Sequence, residues 1–225
     1  MLSSRKASAF VKSCTNHVAS RNPTSGQRAL FAVHRTPVVY YQPAMDPLER
    51  LPINRLDQRH TGLTPALAQS FLEAARVCLD RHHTSPTVFK IKNIETLRAE
   101  VVWANADERC QNAWANEIDT TESGAYACAL AASELVLGLV AVRRAETRTG
   151  ADYYIAPPGK TFEDLEACFR FEVSGIDKGS NADVFHRLDQ KVQQTKAGTS
   201  NLPAVAGVVG FGQRMIALMS VEDRR

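Results

Sequence analysis

An uncharged run near the C-terminus restricts most strongly the folds that this chain can adopt. Residues 203–210 read PAVAGVVG, a stretch of small and β-branched residues with no charged side chain. Such a run is typical of a strand that is buried on both faces. We therefore expect an α/β fold in which helices flank a mixed sheet.

The segment before this run predicts an alternation of helices and strands. Small apolar residues repeat at helical spacing from 120 to about 137. Three β-rich runs follow, at 139–142, 151–155 and 168–174. A second amphipathic helix opens at Asp183 and ends at Gly198. The predicted order is helix, three strands, helix, strand.

The segment 45–117 predicts a mainly helical N-terminal subdomain, with 118–225 as a separate α/β core. Thr64 is a suitable capping residue for a helix that continues to about His82. A short strand is expected around Phe89.

The charges are unevenly distributed along the chain. It has 27 basic and 24 acidic residues, and six of the basic ones lie in residues 1–45, which contain no Asp or Glu. This leaves 21 basic and 24 acidic residues in 46–225. The body therefore lacks the general positive charge of a backbone-led nucleic-acid binder, and a local patch must make any such contact.

The basic, Ser-rich composition of residues 1–44 predicts a disordered arm or an upstream start artefact, with Met45 opening the protein. Organelle targeting is the alternative interpretation. Five widely spaced cysteines without a CxxC pair favour a reducing compartment, here the cytoplasm. The longest uncharged stretch, 197–213, holds a proline and four glycines, so we expect no membrane span.

Three acidic residues lie where structure alone does not favour them. Asp152 lies in a predicted strand, and Glu172 interrupts the apolar run 171–173. Glu122 falls in the first turn of the preceding helix. Carboxylates from two neighbouring strands and a helix can converge on Mg²⁺ or Mn²⁺, which prefer oxygen ligands. Glu172 could instead pair with a nearby arginine, and Glu122 could complement the helix dipole.

The order of elements and the acidic residues resemble the PD-(D/E)xK nuclease superfamily, over roughly residues 118–212. That family has a restriction-endonuclease-like α-β-β-β-α-β core. Its Gly-x-Asp is similar to Gly150-Ala151-Asp152 here, and its Glu-x-Lys is similar to Glu172-Val173-Ser174. Glu122 or Glu134 could match the glutamate in the family's first helix. The resemblance implies metal ligation by Asp152, Glu172 and Glu122, with the Val173 carbonyl as a further ligand.

The motif lysine is replaced by Ser174 in this chain. The resemblance implies that a lysine of the following helix can take its place, and Lys191 is the natural candidate, to orient the attacking water or stabilise charge on the phosphate. Lys178 is the second choice. Lys178 and the arginines immediately before Asp152, which are Arg143, Arg144 and Arg148, form the predicted substrate-binding set.

The sequence thus predicts a Mg²⁺- or Mn²⁺-dependent endonuclease that hydrolyses DNA, with RNA as an alternative substrate. The alternative function is a non-catalytic binding or assembly protein with an inactivated nuclease-like fold. A homodimer would fit either function.

Overall fold

The computed structural model describes residues 48–161, 163–164, 167–198 and 200–221. The expectations for residues 1–44 lie outside the described residues. The described chain forms four α-helices, which are α1 (Pro65–His82), α2 (Glu108–Ala113), α3 (Glu117–Leu137) and α4 (Asn181–Lys196). A short 3₁₀ helix, Leu56–Gln58, precedes α1.

The strands form one mixed sheet in the order β1-β3-β2-β8-β7-β6-β5-β4. Neighbouring strands are antiparallel except for the pairs β1/β3, β2/β8 and β6/β7, which are parallel. The bounds are β1 (Glu49–Arg50), β2 (Thr87–Lys92), β3 (Thr96–Val101), β4 (Val140–Arg144), β5 (Tyr153–Ala156), β6 (Phe169–Ile176), β7 (Ala204–Gly210) and β8 (Met215–Val221).

Local capping residues fix the ends of the long helices. Thr64 accepts a hydrogen bond from the amide of Leu67 before α1, as the sequence predicts. Asn116 caps α3 one turn earlier than expected, because its side chain accepts from two first-turn amides. Ser180 and Asp183 form a reciprocal capping box at the start of α4.

Helices cover the sheet on both sides. On one side, α1 and α3 pack with buried residues of β2, β3 and β5–β8 in the main core. On the other side, Val184, Leu188 and Val192 of α4 pack against β7 and β8 in a second cluster. All seven residues of β7 are buried. The α/β class is therefore confirmed, and so is the buried strand predicted at residues 203–210, which is β7.

Residues 48–117 do not form a separate layer of their own. Strand β2 pairs with β8, and β1 and β3 extend the same sheet beyond it. Helix α1 packs on α3, where the Cβ of an alanine at Gly124 would lie 2.9 Å from the Ala75 nitrogen. The two-part organisation predicted from the sequence thus differs from the structure, in which both segments contribute to one sheet and one main core.

The loop before α1 covers edge strand β4. The amide of Gly62 donates to the carbonyl of Ala141 at 2.9 Å, and the Ala141 amide donates to Nδ1 of His60 at 2.9 Å. A Cβ at Gly62 would lie 2.6 Å from the backbone nitrogen of Arg143, so only glycine permits this approach. The loop therefore satisfies backbone groups that an open edge would expose.

A search of the described residues for membrane spans found no helix that combines the length and the hydropathy that crossing a bilayer requires.

Candidate active site

Asp152 lies immediately before β5 and extends the pairing of this strand with β6 by one residue. Its backbone amide donates to the carbonyl of Phe171 at 2.8 Å, and its Oδ2 accepts from the amide of Val173 at 2.8 Å. The carboxylate thus satisfies a strand amide that would otherwise lack a partner. This local role explains how aspartate, which disfavours strands, is accommodated here.

The turn before Asp152 requires glycine. Gly150 has a φ of 68°, in the left-handed region that glycine adopts without strain. A Cβ there would also lie 3.1 Å from the carbonyl oxygen of Gln194. The Gly-x-Asp spacing therefore has a structural cause, because the tight turn delivers Asp152 to the start of β5.

Glu172 lies next to Asp152 on the neighbouring strand. The register pairs Tyr153 with Phe171, and one further residue along each strand brings Asp152 opposite Glu172. The side chains of β6 alternate as predicted, since Arg170, Glu172 and Ser174 contact α4 or its flanking loops. Phe171 and Val173 enter the main core on the other face.

Helix α4 supplies a lysine to Glu172. Lys191 Nζ lies 2.6 Å from Glu172 Oε1 and also donates to Gln194 Oε1 at 3.1 Å. The two charged side chains are only 12% and 5% exposed. Burial raises the pKa of Glu172 and the nearby charge of Asp152 adds to this rise, while Lys191 opposes it.

An arginine from β4 is held beside Asp152 by two aromatic rings. The Arg144 guanidinium carbon lies 4.8 Å from the ring centroid of Tyr126 and 4.7 Å from that of Tyr153. Its Nη2 lies 3.6 Å from Asp152 Oδ1. The Tyr126 hydroxyl donates to that same Oδ1 at 2.8 Å. Burial and the charge of Asp152 both raise the pKa of Tyr126, which keeps it a neutral donor.

These groups border an open cleft of about 660 Å³. Its walls include Asp152, Glu172, Arg144, Arg148 and Gln194. Gly198 borders it too, where a Cβ would overlap the Thr149 carbonyl oxygen. A concave surface that both acids and several basic side chains line can bind a cation together with an anionic substrate. The side chains that donate hydrogen bonds to the two acids come from different helices, Tyr126 of α3 for Asp152 and Lys191 of α4 for Glu172.

The structure brings together only part of the predicted set. Asp152, Glu172, Lys191, Arg144 and Arg148 lie in or directly behind the cleft.

Three predicted residues do not line the cleft. Arg143 lies beside it, where it pairs at 2.8 Å with Glu146, which does border the cleft. Lys178 lies beyond the end of β6, where its ammonium is 3.4 Å from Glu117 and 3.8 Å from Asp177, and it does not border the cleft. Glu122 is exposed on α3, one turn before Tyr126, and none of the hydrogen bonds or ion pairs found within the described residues joins it to Asp152 or Glu172.

The alternative helix glutamate, Glu134, has a different role. Arg59 Nε contacts its two carboxylate oxygens at 2.7 and 2.9 Å, and His60 Nε2 lies 3.1 Å from Oε2. Glu134 therefore holds the loop that covers β4 and is not part of the cleft.

Two features of the site were not found by the sequence analysis. Tyr126 is the only aromatic residue within α3, and this was the one feature of the sequence that could have indicated a special role for it. Ser174, at the motif-lysine position, accepts a hydrogen bond from Arg187 Nε at 2.9 Å. Helix α4 thus extends two cations to β6 from successive turns, Arg187 to Ser174 and Lys191 to Glu172.

The donor set fits a magnesium-type cation only with help from other oxygens. Across the described residues, no group of three or more His, Cys, Asp or Glu side chains is arranged to hold a metal ion. Asp152 and Glu172 supply two carboxylates, and Mg²⁺ commonly takes one or two carboxylates with water and phosphate oxygens. The two acids therefore meet the minimum that such a cation requires.

Comparison with models of protein families, with curated proteins and with solved structures found no match for this chain.

Proposed function

We propose that this protein is a divalent-cation-dependent nuclease that hydrolyses phosphodiester bonds in DNA, with a divergent PD-(D/E)xK core. The observation that carries the proposal is the juxtaposition of Asp152 and Glu172 on adjacent strands, with Lys191 on Glu172, beside an open cleft. The order α3-β4-β5-β6-α4-β7 supports the family resemblance, since it has the α-β-β-β-α-β arrangement.

Asp152 and Glu172 would hold Mg²⁺ or Mn²⁺. Bound there, the cation would lower the pKa of a coordinated water and neutralise charge that develops on the phosphate. The Val173 amide points toward Asp152, and in an antiparallel ladder the N–H and C=O of one residue point to the same side. The Val173 carbonyl is therefore a reasonable further ligand. Glu122 is exposed and contacts neither acid. It would therefore reach the cation only through a bridging water.

The basic side chains of the cleft would bind the substrate. Arg144 is oriented by Tyr126 and Tyr153, so it can bind a phosphate oxygen with little loss of side-chain entropy. Lys191 is held 2.6 Å from Glu172, where its ammonium can orient a water or stabilise an anionic transition state. Arg148 extends the positive rim of the cleft. The position of Lys178 gives it no contact with this site.

One observation favours the alternative, a binding protein with an inactivated nuclease-like site. Both oxygens of Asp152 and one oxygen of Glu172 already accept hydrogen bonds from protein donors. A site satisfied in this way is stable without a cation. In that case the same cleft would bind a nucleic acid without cleaving it.

Cleavage of plasmid, branched and single-stranded DNA, and of RNA, with Mg²⁺ or Mn²⁺ separates these functions. We expect wild-type protein to cleave, and Asp152→Asn and Glu172→Gln each to reduce the rate at least about a hundredfold. Glu146→Gln is the matched control, because Glu146 borders the same cleft but pairs with Arg143 and Tyr154. Equal rates for wild type and Glu172→Gln would exclude the proposed mechanism.

A further inference from the structure

The face of the sheet that α4 leaves open carries three basic side chains on neighbouring strands. Phe89 and Ile91 of β2, with Ala99 and Val101 of β3, point into the main core under α1 and α3. By alternation, Lys90, Lys92 and Arg98 therefore point to the opposite face. Helix α4 packs on β6, β7 and β8, and within the described residues no helix packs on this side of β2 and β3.

The three cations lie close together. Lys90 is directly opposite Arg98 in the antiparallel register, and Lys92 is opposite Thr96. Lys90 and Arg98 are exposed, and neither forms an ion pair with any residue that the structure describes. Among the residues that the structure describes, the Lys92 ammonium donates only to the Thr96 hydroxyl, at 2.8 Å. Cations held within a residue or two of each other create a local positive field that attracts a polyanionic partner.

Three acidic groups lie near this face, and one of them, Glu95, is exposed in the turn between β2 and β3. Glu100 follows on the same face of β3, but Arg50 of β1 lies 3.6 Å from its carboxylate. Asp189 is exposed on α4. The local charge is therefore positive, although residues 46–225 as a whole hold 21 basic and 24 acidic side chains.

An exposed aromatic side chain borders the same face. Val184 of α4 lies over Gly210 of β7. Gly210 pairs with Met215 of β8, and Met215 in turn pairs with Lys90 of β2, so this end of α4 is level with Lys90. Arg187 faces β6, so Phe185, two residues earlier and about 200° around the helix, faces the side of β8 and β2. Phe185 is 42% exposed.

The geometry points to a second nucleic-acid contact of this protein, in which Lys90, Lys92, Arg98 and Phe185 bind a single-stranded segment. We call these four residues the basic sheet face. Cations that follow a phosphate backbone, with an aromatic ring on which a base stacks, are the usual elements of a single-strand binding surface. This inference rests on the proposed function for the identity of the polyanion, and it assigns the protein a binding surface outside the cleft.

The charge also argues against the chain's own N-terminal segment as the occupant. Residues 1–45 contain six basic side chains and no acidic ones, so they would be repelled by the basic sheet face. A nucleic-acid strand has the complementary charge at regular spacing.

Fluorescence anisotropy with the full chain in EDTA tests this surface separately from cleavage. The probes are a labelled 20-nucleotide DNA strand, the matching RNA and the matching duplex, each over a series of salt concentrations. Lys90→Gln/Lys92→Gln/Arg98→Gln should weaken single-strand binding and reduce the slope of log K against log salt by about 2, since each phosphate contact contributes about 0.7. Phe185→Ala should weaken binding of single strands more than binding of the duplex.

The control is Arg55→Gln/Arg109→Gln/Lys160→Gln, which removes the same formal charge from exposed positions elsewhere in the described chain, of which Lys160 is paired with Asp164. Thermal melting verifies that each variant is folded. An equal loss in the surface and control triples would overturn the inference, because net charge alone would then explain binding. Tighter binding of labelled polyglutamate of matched charge than of the nucleic-acid strand would overturn it in favour of an acidic protein partner. If the Lys90/Lys92/Arg98 variant binds the strand and cleaves DNA as well as wild type does, this inference is contradicted. The proposed nuclease function would not be affected by that result.

Discussion

Lys191 and Glu172 form a nearly buried ion pair. The desolvation of both charges makes such a pair a poor contributor to the free energy of unfolding. Charged side chains that are 12% and 5% exposed lose most of their hydration, and a hydrophobic pair of similar volume is often as stable or more so. Asp152 increases this cost, since it is a second negative charge next to Glu172. A cation bound between the two acids would reverse that cost, which is consistent with the proposed chemistry.

This pairing predicts a large cost for removing either partner alone. Lys191→Met should lower the free energy of unfolding by about 3–5 kcal/mol, because Glu172 remains buried without its counter-ion. The double variant Lys191→Met/Glu172→Gln should recover much of this loss. Urea denaturation of the two single variants and the double variant measures the coupling, and simple additivity of the two losses would contradict a direct ion pair.

Residue patterns predicted one half of the site better than the other. The alternation in β6 follows from a local periodicity, and the family resemblance indicated Lys191 of the following helix. The contact between Lys191 and Glu172 was not predicted, because an arginine was considered as the partner of Glu172. Tyr126 and the stacking of Arg144 depend on how α3 sits against the sheet, and no local pattern encodes that contact. Lys178 failed as a cleft residue because β6 continues to Ile176, which carries Lys178 past the end of the strand.

At the scale of the elements, the sheet depends on how its edge strand is covered. His60 is fully buried between α3 and β4, where Nδ1 accepts from the Ala141 amide and Nε2 faces Glu134. This arrangement requires a neutral ring, because a protonated Nδ1 could not accept the hydrogen bond. Burial accordingly lowers the pKa of His60, and this effect exceeds the opposing influence of Glu134.

The loop that holds β4 should therefore weaken in acid. Below a pH of about 6.5 the unfolded chain protonates this histidine while the folded chain does not, so the free energy of unfolding falls as the pH decreases. Urea titrations at pH 8 and pH 5.5 measure the effect in wild type and in His60→Gln. His83→Gln provides a comparison at a less buried histidine, whose pKa is also lowered by burial. The same pH dependence in wild type and His60→Gln would contradict this role.

Strand prediction succeeded where flanking turns were clear and failed where they were not. β2 was predicted because Phe89 and Ile91 alternate with lysines after a proline turn. β3 has a weak alternation, TLRAEV, which does not by itself predict a strand. β8 is a short apolar run after a tight turn, and periodicity alone does not separate such a run from a buried helix segment.

At the scale of the whole molecule, long-range pairing joins the two halves of the described chain. Strand β2 contributes the neighbour of β8, and α1 covers α3, so residues 118–221 alone would expose a strand edge and an apolar helix face. The subdomain boundary predicted at 117/118 followed the order of predicted helices and strands and the extent of the family resemblance, and neither records pairing between distant segments.

This architecture predicts one cooperative unfolding transition for the body. A fragment of residues 118–225 should be aggregated or lack a thermal transition, whereas residues 46–225 should melt in a single step. Circular dichroism and calorimetry of the two fragments provide the measurement. A folded 118–225 fragment would show instead that the N-terminal strands are an accessory layer.

The proposed function depends most on a cation site shared by Asp152 and Glu172. Titration calorimetry with Mn²⁺ at pH 7.5 tests it directly, in wild type, Asp152→Asn, Glu172→Gln and the cleft control Glu146→Gln. We predict one site in wild type and in Glu146→Gln, loss of that site in both Asp152→Asn and Glu172→Gln, and weaker binding at pH 5.5 because burial raises the pKa of Glu172. Manganese binding that is absent in wild type, or unchanged by both substitutions, would contradict the central claim.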